Sequence, residues 1–327
     1  MTLKKMMALI MTAAMLVTAA GCGSSANNSA PAGSSSTDGS SKAENASIQT
    51  ISADNPWEAT EIGDGSWERV KEAGKITVGL DDAFPPMGYH DPNNDDLIGF
   101  DIDMANAIGK KLGVEFEFHP SAWDSIVPSL LSSKFDVIIS GMNMWDSRVE
   151  QVNYVPYGVA YQLLLVPTDK VSDEMNDVEY FKDKVIGTQA GSTAEKYLKG
   201  MGFEEGKNLK TYKTFPEATV DMGSGRLNAL AIDSFGAAEL VKSGDYKQVA
   251  QIKSDSNENG AAADTIGIAV RKDDGDLQMH IAQAVDELLV SGELTELSIK
   301  WIGEDITEPM IADAQARLNS GKYDVLK

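Results

Sequence analysis

The stretch GFDIDMANAIGKKL, residues 99–112, decides the fold of this chain. Apolar side chains recur in it near helical spacing, at Ile102, Ala105, Ile108 and Leu112. The pattern predicts an amphipathic helix over residues 100–112, and apolar runs at 75–80 and 114–118 predict a strand on each side of it. A strand, a helix and a second strand in this order are typical of α/β proteins with parallel sheets.

The same alternation continues to residue 301. Further strands are predicted at residues 135–140, 161–166, 184–187, 227–232 and 265–270. Further helices are predicted at residues 121–131, 146–152, 193–199, 216–225, 235–242, 277–290 and 294–301. Ser121 and Asp124 form a capping-box pattern at the start of the first of these helices, where Pro128 is tolerable only near the first turn. The alternation predicts mostly parallel sheets with helices on both faces.

The N-terminus predicts export and a lipid anchor. Two lysines precede an apolar run at residues 6–20, which is short for a membrane span and fits a secretory signal peptide of residues 1–21. Ala-Ala-Gly-Cys22 resembles the lipobox of bacterial lipoproteins, so Cys22 is expected to be acylated, with palmitate, and to hold the chain on the extracytoplasmic face of the cell membrane. The alternative is an ordinary signal with a free cysteine. Residues 22–55 are rich in Ser, Gly, Ala and Asn and are predicted to form a flexible tether.

The composition restricts the class of protein. Asp and Glu total 50 against 28 Lys and Arg, a formal net charge of −22, and so acidic a surface argues against a nucleic-acid partner. Because the chain has 1 cysteine, an intramolecular disulfide and a Cys-based metal cluster are excluded. The sequence has no nucleotide, metal or hydrolase motif, so no cofactor is expected.

Residues 99–104, followed by Ile108-Gly109 and Leu112, resemble in full the signature pattern of the family 3 extracellular solute-binding proteins, which bind polar amino acids. The similarity extends over residues 66–301 in the order and spacing of nearly every element. The resemblance implies the type II periplasmic-binding-protein fold, an α/β fold of two lobes, each a mostly parallel sheet flanked by helices. Two hinge strands are expected to join the lobes at residues 161–166 and 265–270.

The family fold builds its first lobe from both ends of the chain. On this basis residues 66–162 plus 265–302 form the first lobe and residues 166–262 form the second. Residues 303–327 extend past the usual end of the family. They are expected to form a helix packed on the first lobe.

The resemblance also implies a site for the two charged groups of an amino acid between the lobes. Burying either charge without a partner costs several kcal/mol, so the site needs a cation and an anion. Arg148, at the end of the segment that begins with Asn143, matches the carboxylate clamp of the family; the alternative is a surface arginine paired with Asp146 or Glu150. Asp233 ends a predicted strand and resembles the acid that binds the α-ammonium; the alternative is a helix N-cap.

Further ligand-binding positions follow from the same resemblance. Ser140 ends the strand predicted at residues 135–140, and Gly141 and Asn143 follow it. Thr193 opens a helix with a capping box completed by Glu195, where free N–H groups form an anion site. In the family, the position of Thr193 touches the carboxylate.

The opposite end of the site would bind the ligand side chain. Asp81 lies where relatives place an acid for the distal polar group, and Gln189 is in the loop that faces the side chain. Phe84 and Trp123 match two aromatic walls of the family, which suit a flat or cationic group. The alternative for these aromatic residues is a place in the core. The pattern favours a basic or amide side chain.

The resemblance implies that the chain captures an amino acid by closure of the two lobes and delivers it to the membrane permease of an ABC importer. The protein is expected to act as a monomer and not as an enzyme. Two alternatives stay open at this point. One is a periplasmic dehydratase-like enzyme on the same scaffold, and the other is a lipoprotein that senses the ligand without transport.

Overall fold

The computed structural model of the protein describes residues 63–253 and 263–326. The predicted signal peptide of residues 1–21, the acylation site Cys22 and the tether of residues 22–55 lie outside the described residues. Within the described ranges, none of the helices combines the length and the apolarity that a membrane span requires.

The described chain begins with seven strands and four α-helices. The strands are β1 (Lys75–Leu80), β2 (Ala83–Phe84), β3 (Gly88–His90), β4 (Leu97–Ile98), β5 (Glu115–Pro120), β6 (Val137–Ile138) and β7 (Val152–Ala160). The helices are α1 (Ser66–Ala73), α2 (Phe100–Leu112), α3 (Ile126–Leu131) and α4 (Asp146–Val149).

A second set of elements follows, and the last part of the chain then packs with the first set. The second set consists of β8 (Gln162–Pro167), β9 (Ile186–Gln189), α5 (Thr193–Gly200), β10 (Leu209–Tyr212), α6 (Phe215–Gly223), β11 (Ala229–Asp233), α7 (Ser234–Lys242) and β12 (Tyr246–Ile252). The returning part consists of β13 (Asp264–Arg271), α8 (Gly275–Ser291), α9 (Glu293–Trp301) and α10 (Glu308–Asn319).

Two five-stranded sheets form the frame of the described residues. The first has the order β5-β1-β6-β13-β7 and, with its helices, is the first lobe; the second has the order β10-β9-β11-β8-β12 and is the second lobe. In each sheet three neighbouring strands are parallel, and the other two pair in antiparallel fashion. The sheets are therefore mixed rather than mostly parallel. The antiparallel strands are those that lead the chain from one sheet to the other.

Helix α2 has the bounds that the sequence predicts, and its buried side chains include Phe100, Met104 and Ile108. Gly99 directly before it has φ 139°. A Cβ atom at this position would lie 2.2 Å from the carbonyl oxygen of Met87. Only glycine therefore allows the chain to enter the helix so close to the neighbouring loop.

The predicted capping box at Ser121 and Asp124 does not form. Residues Trp123–Ser125 make a short 3-10 turn, and α3 begins at Ile126 without a side-chain cap. This start places Pro128 in the first turn of the helix, where its missing N–H group is not needed. The position of the proline therefore sets the start of the helix.

Strand β7 was not predicted, because Pro156 and Gly158 interrupt its apolar pattern. The proline fits because β7 is an edge strand of the first sheet. The register between β7 and β13 also shifts between Ile266 and Gly267, opposite these two residues. The strand therefore depends on its place in the sheet, which the local sequence does not indicate.

The chain passes between the sheets at Tyr161, which separates β7 from β8. The segment predicted as the first hinge strand, residues 161–166, lies almost wholly in β8 of the second sheet. The segment predicted as the second, residues 265–270, lies in β13 of the first sheet. The return passage falls between β12 and β13, where residues 254–262 lie outside the described residues.

The C-terminal segment is joined to the first lobe by buried polar contacts. Helix α10 packs against α8 and β7. Arg317 of α10 donates two hydrogen bonds, of 2.8 and 2.6 Å, to the carboxylate of Asp286 in α8, which is 1% exposed. The hydroxyl of Tyr323 donates a third bond of 2.5 Å to the same carboxylate. The segment is therefore part of the folded lobe.

Replacing Arg317 by alanine is expected to lower the free energy of unfolding by about 1–3 kcal/mol. The substitution leaves the buried Asp286 carboxylate without its cation, while partial exposure of Arg317 limits the loss. Urea unfolding monitored by circular dichroism measures the effect. Lys242→Ala, which removes an exposed pair with Glu239, is the matched control and should change stability by less than about 0.5 kcal/mol. Equal stability of the two variants would contradict the assigned role.

Candidate functional site

The predicted site residues collect where parallel strands of the two sheets end. In the first lobe, Asp81 follows β1, and Ser140 to Asn143 follow β6. In the second lobe, Gln189 ends β9 and Asp233 ends β11. Because ligands of α/β sheets bind beyond the carboxyl ends of the strands, this is the place where a site is expected.

Hydrogen bonds join the two lobes across this region. Gln189 Nε2 donates to Asp81 Oδ2 at 2.6 Å, and Thr193 Oγ1 donates to Asn143 Oδ1 at 3.0 Å. The indole N–H of Trp123 donates to the carbonyl of Gly191 at 3.1 Å. The structure is therefore a closed arrangement in which residues from both lobes meet.

Arg148 is buried at the centre of these contacts, with 6% of its surface exposed. Its Nη1 donates to the carbonyl of Asn143 at 3.0 Å, and its Nη2 donates to the carbonyl of Gly191 at 2.9 Å. Burial lowers the pKa of the guanidinium from its ordinary value, but arginine stays protonated at neutral pH. The burial excludes the alternative of a surface arginine.

The side-chain amide of Asn143 adds a second donor beside Arg148. Its Nδ2 is buried and has no hydrogen-bond partner among the described residues. A buried donor without an acceptor costs about 1–3 kcal/mol. A guanidinium and an unpaired amide N–H close together form a site for an anion such as a carboxylate.

The start of α5 has the predicted capping box. The Ser192 hydroxyl accepts from the Glu195 N–H at 3.1 Å, and the Glu195 carboxylate accepts from the Gly191 N–H at 2.5 Å. The N–H groups of Gly191 and Glu195 are therefore used in capping the helix. Thr193 contributes its hydroxyl to the site through the bond to Asn143.

Asp233 is the acid of the second lobe, and it is 5% exposed. It occupies the N-cap position of α7, but its side chain makes no capping bond. The carboxylate instead accepts a hydrogen bond of 2.5 Å from Gln162 Nε2 of β8. Burial raises the pKa of this carboxyl group to about 7, and the charge of Arg148 acts in the opposite direction. The Asp233 side chain is therefore held by Gln162 and does not cap α7.

A second acid, Asp264 at the start of β13, lies in the electrostatic environment of Asp233 and was not singled out from the sequence. The Tyr197 hydroxyl of α5 donates a hydrogen bond to its carboxylate. Burial raises the pKa of Asp264 to about 6, while the charge of Lys196 lowers it. No local motif marks this residue, because only the fold brings β13 next to α5.

Asp81 lies at the other end of the site and is 5% exposed. Its Oδ1 accepts from the Ala83 N–H at 3.0 Å, and its own N–H donates to Ser140 Oγ at 3.0 Å. Burial raises the pKa of the carboxyl group from its ordinary value, while the bond from Gln189 lowers it. Among the described residues, no lysine or arginine forms an ion pair with Asp81. Both carboxylate oxygens thus have neutral hydrogen-bond donors and no cationic partner among the described residues.

The two predicted aromatic walls have different partners. The ring of Phe84 lies 5.3 Å from that of Phe215 and 5.5 Å from that of Phe235, so it packs against the second lobe. The ring centroid of Trp123 lies 5.1 Å from the guanidinium carbon of Arg148. The structure thus places Phe84 among apolar rings and Trp123 at the charged end of the site.

Gly141 lies beside Phe84 and has φ 55°. A Cβ atom here would lie 3.2 Å from the rings of Phe84 and Phe235, so a larger residue would crowd the contact between the lobes. The buried carboxylate of Asp101 in α2 accepts a hydrogen bond of 2.9 Å from the Tyr157 hydroxyl, and the Gly141 backbone belongs to its electrostatic environment. Burial raises the pKa of Asp101 to about 7. Asp101 was not predicted as a site residue, although it lies within the family motif.

Comparison with known proteins gives a consistent result. The family model of the bacterial extracellular solute-binding proteins, family 3, matches residues 76–304. The L-cystine-binding protein TcyJ of Escherichia coli (strain K12) is 30% identical over 251 residues, which cover 75% of this chain and 89% of the relative.

Solved structures of amino-acid-binding proteins also superpose on this chain. An ancestral arginine-binding protein bound to arginine superposes with a TM-score of 0.63 and 37% identity, over 70% of this chain and 98% of the other. An ancestral amino acid-binding protein, described as a precursor of cyclohexadienyl dehydratase, superposes with a TM-score of 0.65 and 30% identity, over 72% and 99%.

Proposed function

Because the chain belongs to the bacterial extracellular solute-binding proteins of family 3, we propose that it captures one polar amino acid with a cationic side chain between its two lobes. It is an extracytoplasmic amino-acid-binding protein that delivers its ligand to an ABC importer. The relatives supply this class of function, and the residues of the site support the choice of ligand.

One observation carries the proposal: a buried cation, Arg148, and a buried anion, Asp233, face the same region from different lobes. Their charges interact, but the two side chains do not form a direct ion pair. Each charge is costly to bury without a partner. The carboxylate of a free amino acid would pair with Arg148 and its ammonium with Asp233, so one ligand would satisfy both groups.

Asp81 supports a cationic ligand side chain. The carboxylate is buried, and its side-chain partner from the other lobe is the neutral amide of Gln189. An arginine or lysine side chain would supply the missing positive charge. Cystine, which the relative TcyJ binds, would also bring an ammonium to this end, but with it a second carboxylate that would need a cation of its own beside Asp81.

Replacing Asp81 by asparagine is expected to weaken L-arginine binding at least tenfold and to change L-glutamine binding by less than about threefold. The substitution keeps the shape of the side chain and removes the charge that a guanidinium pairs with, worth about 1.5–3 kcal/mol. Isothermal titration calorimetry with the two amino acids measures the difference. Asp82→Asn is the matched control, since the neighbouring Asp82 side chain is 37% exposed and contacts His90. An equal loss for both ligands would rule out selection by charge.

Binding rather than catalysis is part of the proposal. The described histidines contact residues other than the predicted site residues: His90 contacts Asp82, His119 contacts Glu117, and His280 stacks on Trp67. In the proposal, Asp81 and Asp233 pair with the two positive charges of the amino acid. The likeness to a dehydratase precursor concerns a protein that is itself described as amino-acid-binding.

The finer points of location and assembly are also proposals. We propose that Cys22 is acylated and that residues 22–55 tether the binding domain to the extracytoplasmic face of the cell membrane. The lipobox pattern and the Ser- and Gly-rich composition support this. We further propose that the protein acts as a monomer, since one chain supplies both lobes of the site.

A further inference from the structure

Trp145 lies in the loop between β6 and α4, three residues before Arg148. The guanidinium carbon of Arg148 lies 4.5 Å from the centroid of its indole ring. Lys196 Nζ of α5 lies 4.0 Å from a ring centroid of the same residue. One aromatic side chain thus contacts a cation from each lobe.

These contacts complete the set that fixes the Arg148 side chain. Two backbone carbonyls, those of Asn143 and Gly191, accept hydrogen bonds from its Nη1 and Nη2 atoms. These two bonds alone leave the guanidinium plane free to tilt about the line that joins the two nitrogen atoms. Rings over the guanidinium, Trp145 at 4.5 Å and Trp123 at 5.1 Å, restrict this tilt.

The orientation of this plane matters for binding. A guanidinium binds a carboxylate best with two parallel hydrogen bonds in one plane, and a side chain held in that orientation loses less entropy when the ligand arrives. An aromatic face also attracts a cation that has lost its water, and the attraction grows as the site is buried. Arg148 meets both conditions, because it is buried and fixed.

We infer that Trp145 is a positioning residue of the ligand carboxylate site: its ring holds the guanidinium plane of Arg148 in the orientation that clamps the carboxylate. This inference rests on the proposed function. Trp145 acts through Arg148, and its contact with Lys196 ties the ring to the second lobe when the lobes are closed.

The test compares L-arginine with agmatine, its decarboxylated analogue, by calorimetric and competition titrations of the purified protein. Trp145→Ala should weaken L-arginine binding about tenfold and agmatine binding less than threefold, because agmatine has no carboxylate for Arg148 to clamp. Trp145→Phe keeps an aromatic face and should stay within about threefold of the wild type for L-arginine.

Trp67→Ala is the matched control, since Trp67 belongs to α1 and stacks on His280 at 4.1 Å. It should leave both affinities unchanged. If the wild type binds a different amino acid, that amino acid and its decarboxylated amine replace the two probes.

Each outcome separates the inference from the function on which it rests. A wild-type protein that binds no amino acid overturns both. A wild type that binds, with unchanged affinity in Trp145→Ala, overturns the inference alone. Equal losses for L-arginine and agmatine would show a general structural role for Trp145 and overturn it as well. A loss in Trp145→Phe as large as in Trp145→Ala would assign the effect to the indole N–H and not to the ring, and would also overturn the inference.

Discussion

Replacing Arg148 by alanine is expected to weaken amino-acid binding by about 3–5 kcal/mol, which takes a micromolar site to millimolar or weaker. The substitution leaves the ligand carboxylate buried without a cation. It also removes the hydrogen bonds that Arg148 donates to the carbonyls of Asn143 and Gly191 in the closed arrangement. Calorimetric titration of the variant with the ligand of the wild type measures the loss.

Arg226→Ala is the matched control for this substitution. Arg226 is 58% exposed and pairs with Asp221 on the surface of the second lobe, so its removal should leave the affinity unchanged. A loss of less than tenfold in Arg148→Ala would contradict the role of Arg148 as the carboxylate clamp.

Replacing Asp233 by asparagine is expected to have the second largest effect, a loss of about 2–4 kcal/mol for an α-amino acid. Asparagine fits the same space but cannot supply the negative charge that the buried ammonium needs. A ligand analogue without the α-ammonium should lose less than threefold. Titration of both ligands into both proteins measures the difference.

Asp276→Asn controls for the general effect of neutralising a buried acid. Asp276 is 6% exposed and accepts hydrogen bonds from the N–H groups of Gly63 and Gly65, away from the site. This variant should keep the wild-type affinity. If Asp233→Asn weakens both ligands equally, then Asp233 only supports the structure, and the ammonium binds elsewhere.

Elements with a strong local pattern could be predicted from the sequence. Helix α2 has the predicted bounds, because its apolar side chains repeat on one face and Gly99 precedes it. Strand β1 also agrees with the prediction. The capping box of α5 forms as predicted, since all its hydrogen bonds are local.

Elements that depend on distant contacts could not be predicted in this way. The edge position of β7 makes Pro156 acceptable, and a single sequence does not indicate which strand lies at the edge. The mixed strand directions of the two sheets also depend on distant contacts. The strands that carry the chain between the lobes run antiparallel to their neighbours, and their pairing is set by the fold.

The site shows the same division between local and distant information. Family resemblance identified Arg148 and Asp233, which the structure buries near the ends of strands. The packing of Phe84 against Phe215 could not be read from the sequence, because the two residues belong to different lobes. Asp264 was not predicted as a site residue for a similar reason, because its hydrogen bond with Tyr197 also joins the two lobes.

The most direct test of the central claim is a thermal-shift screen of the protein against the twenty amino acids, ornithine, citrulline and cystine. A ligand at a hundredfold excess over its Kd stabilises the folded state by about 2.7 kcal/mol, which raises Tm by roughly 5–10 °C for a domain of this size. The account predicts such a shift for one polar amino acid or a small related group, with arginine or lysine among them. A folded protein, free of co-purified ligand, that shows no shift with any of these compounds would contradict it.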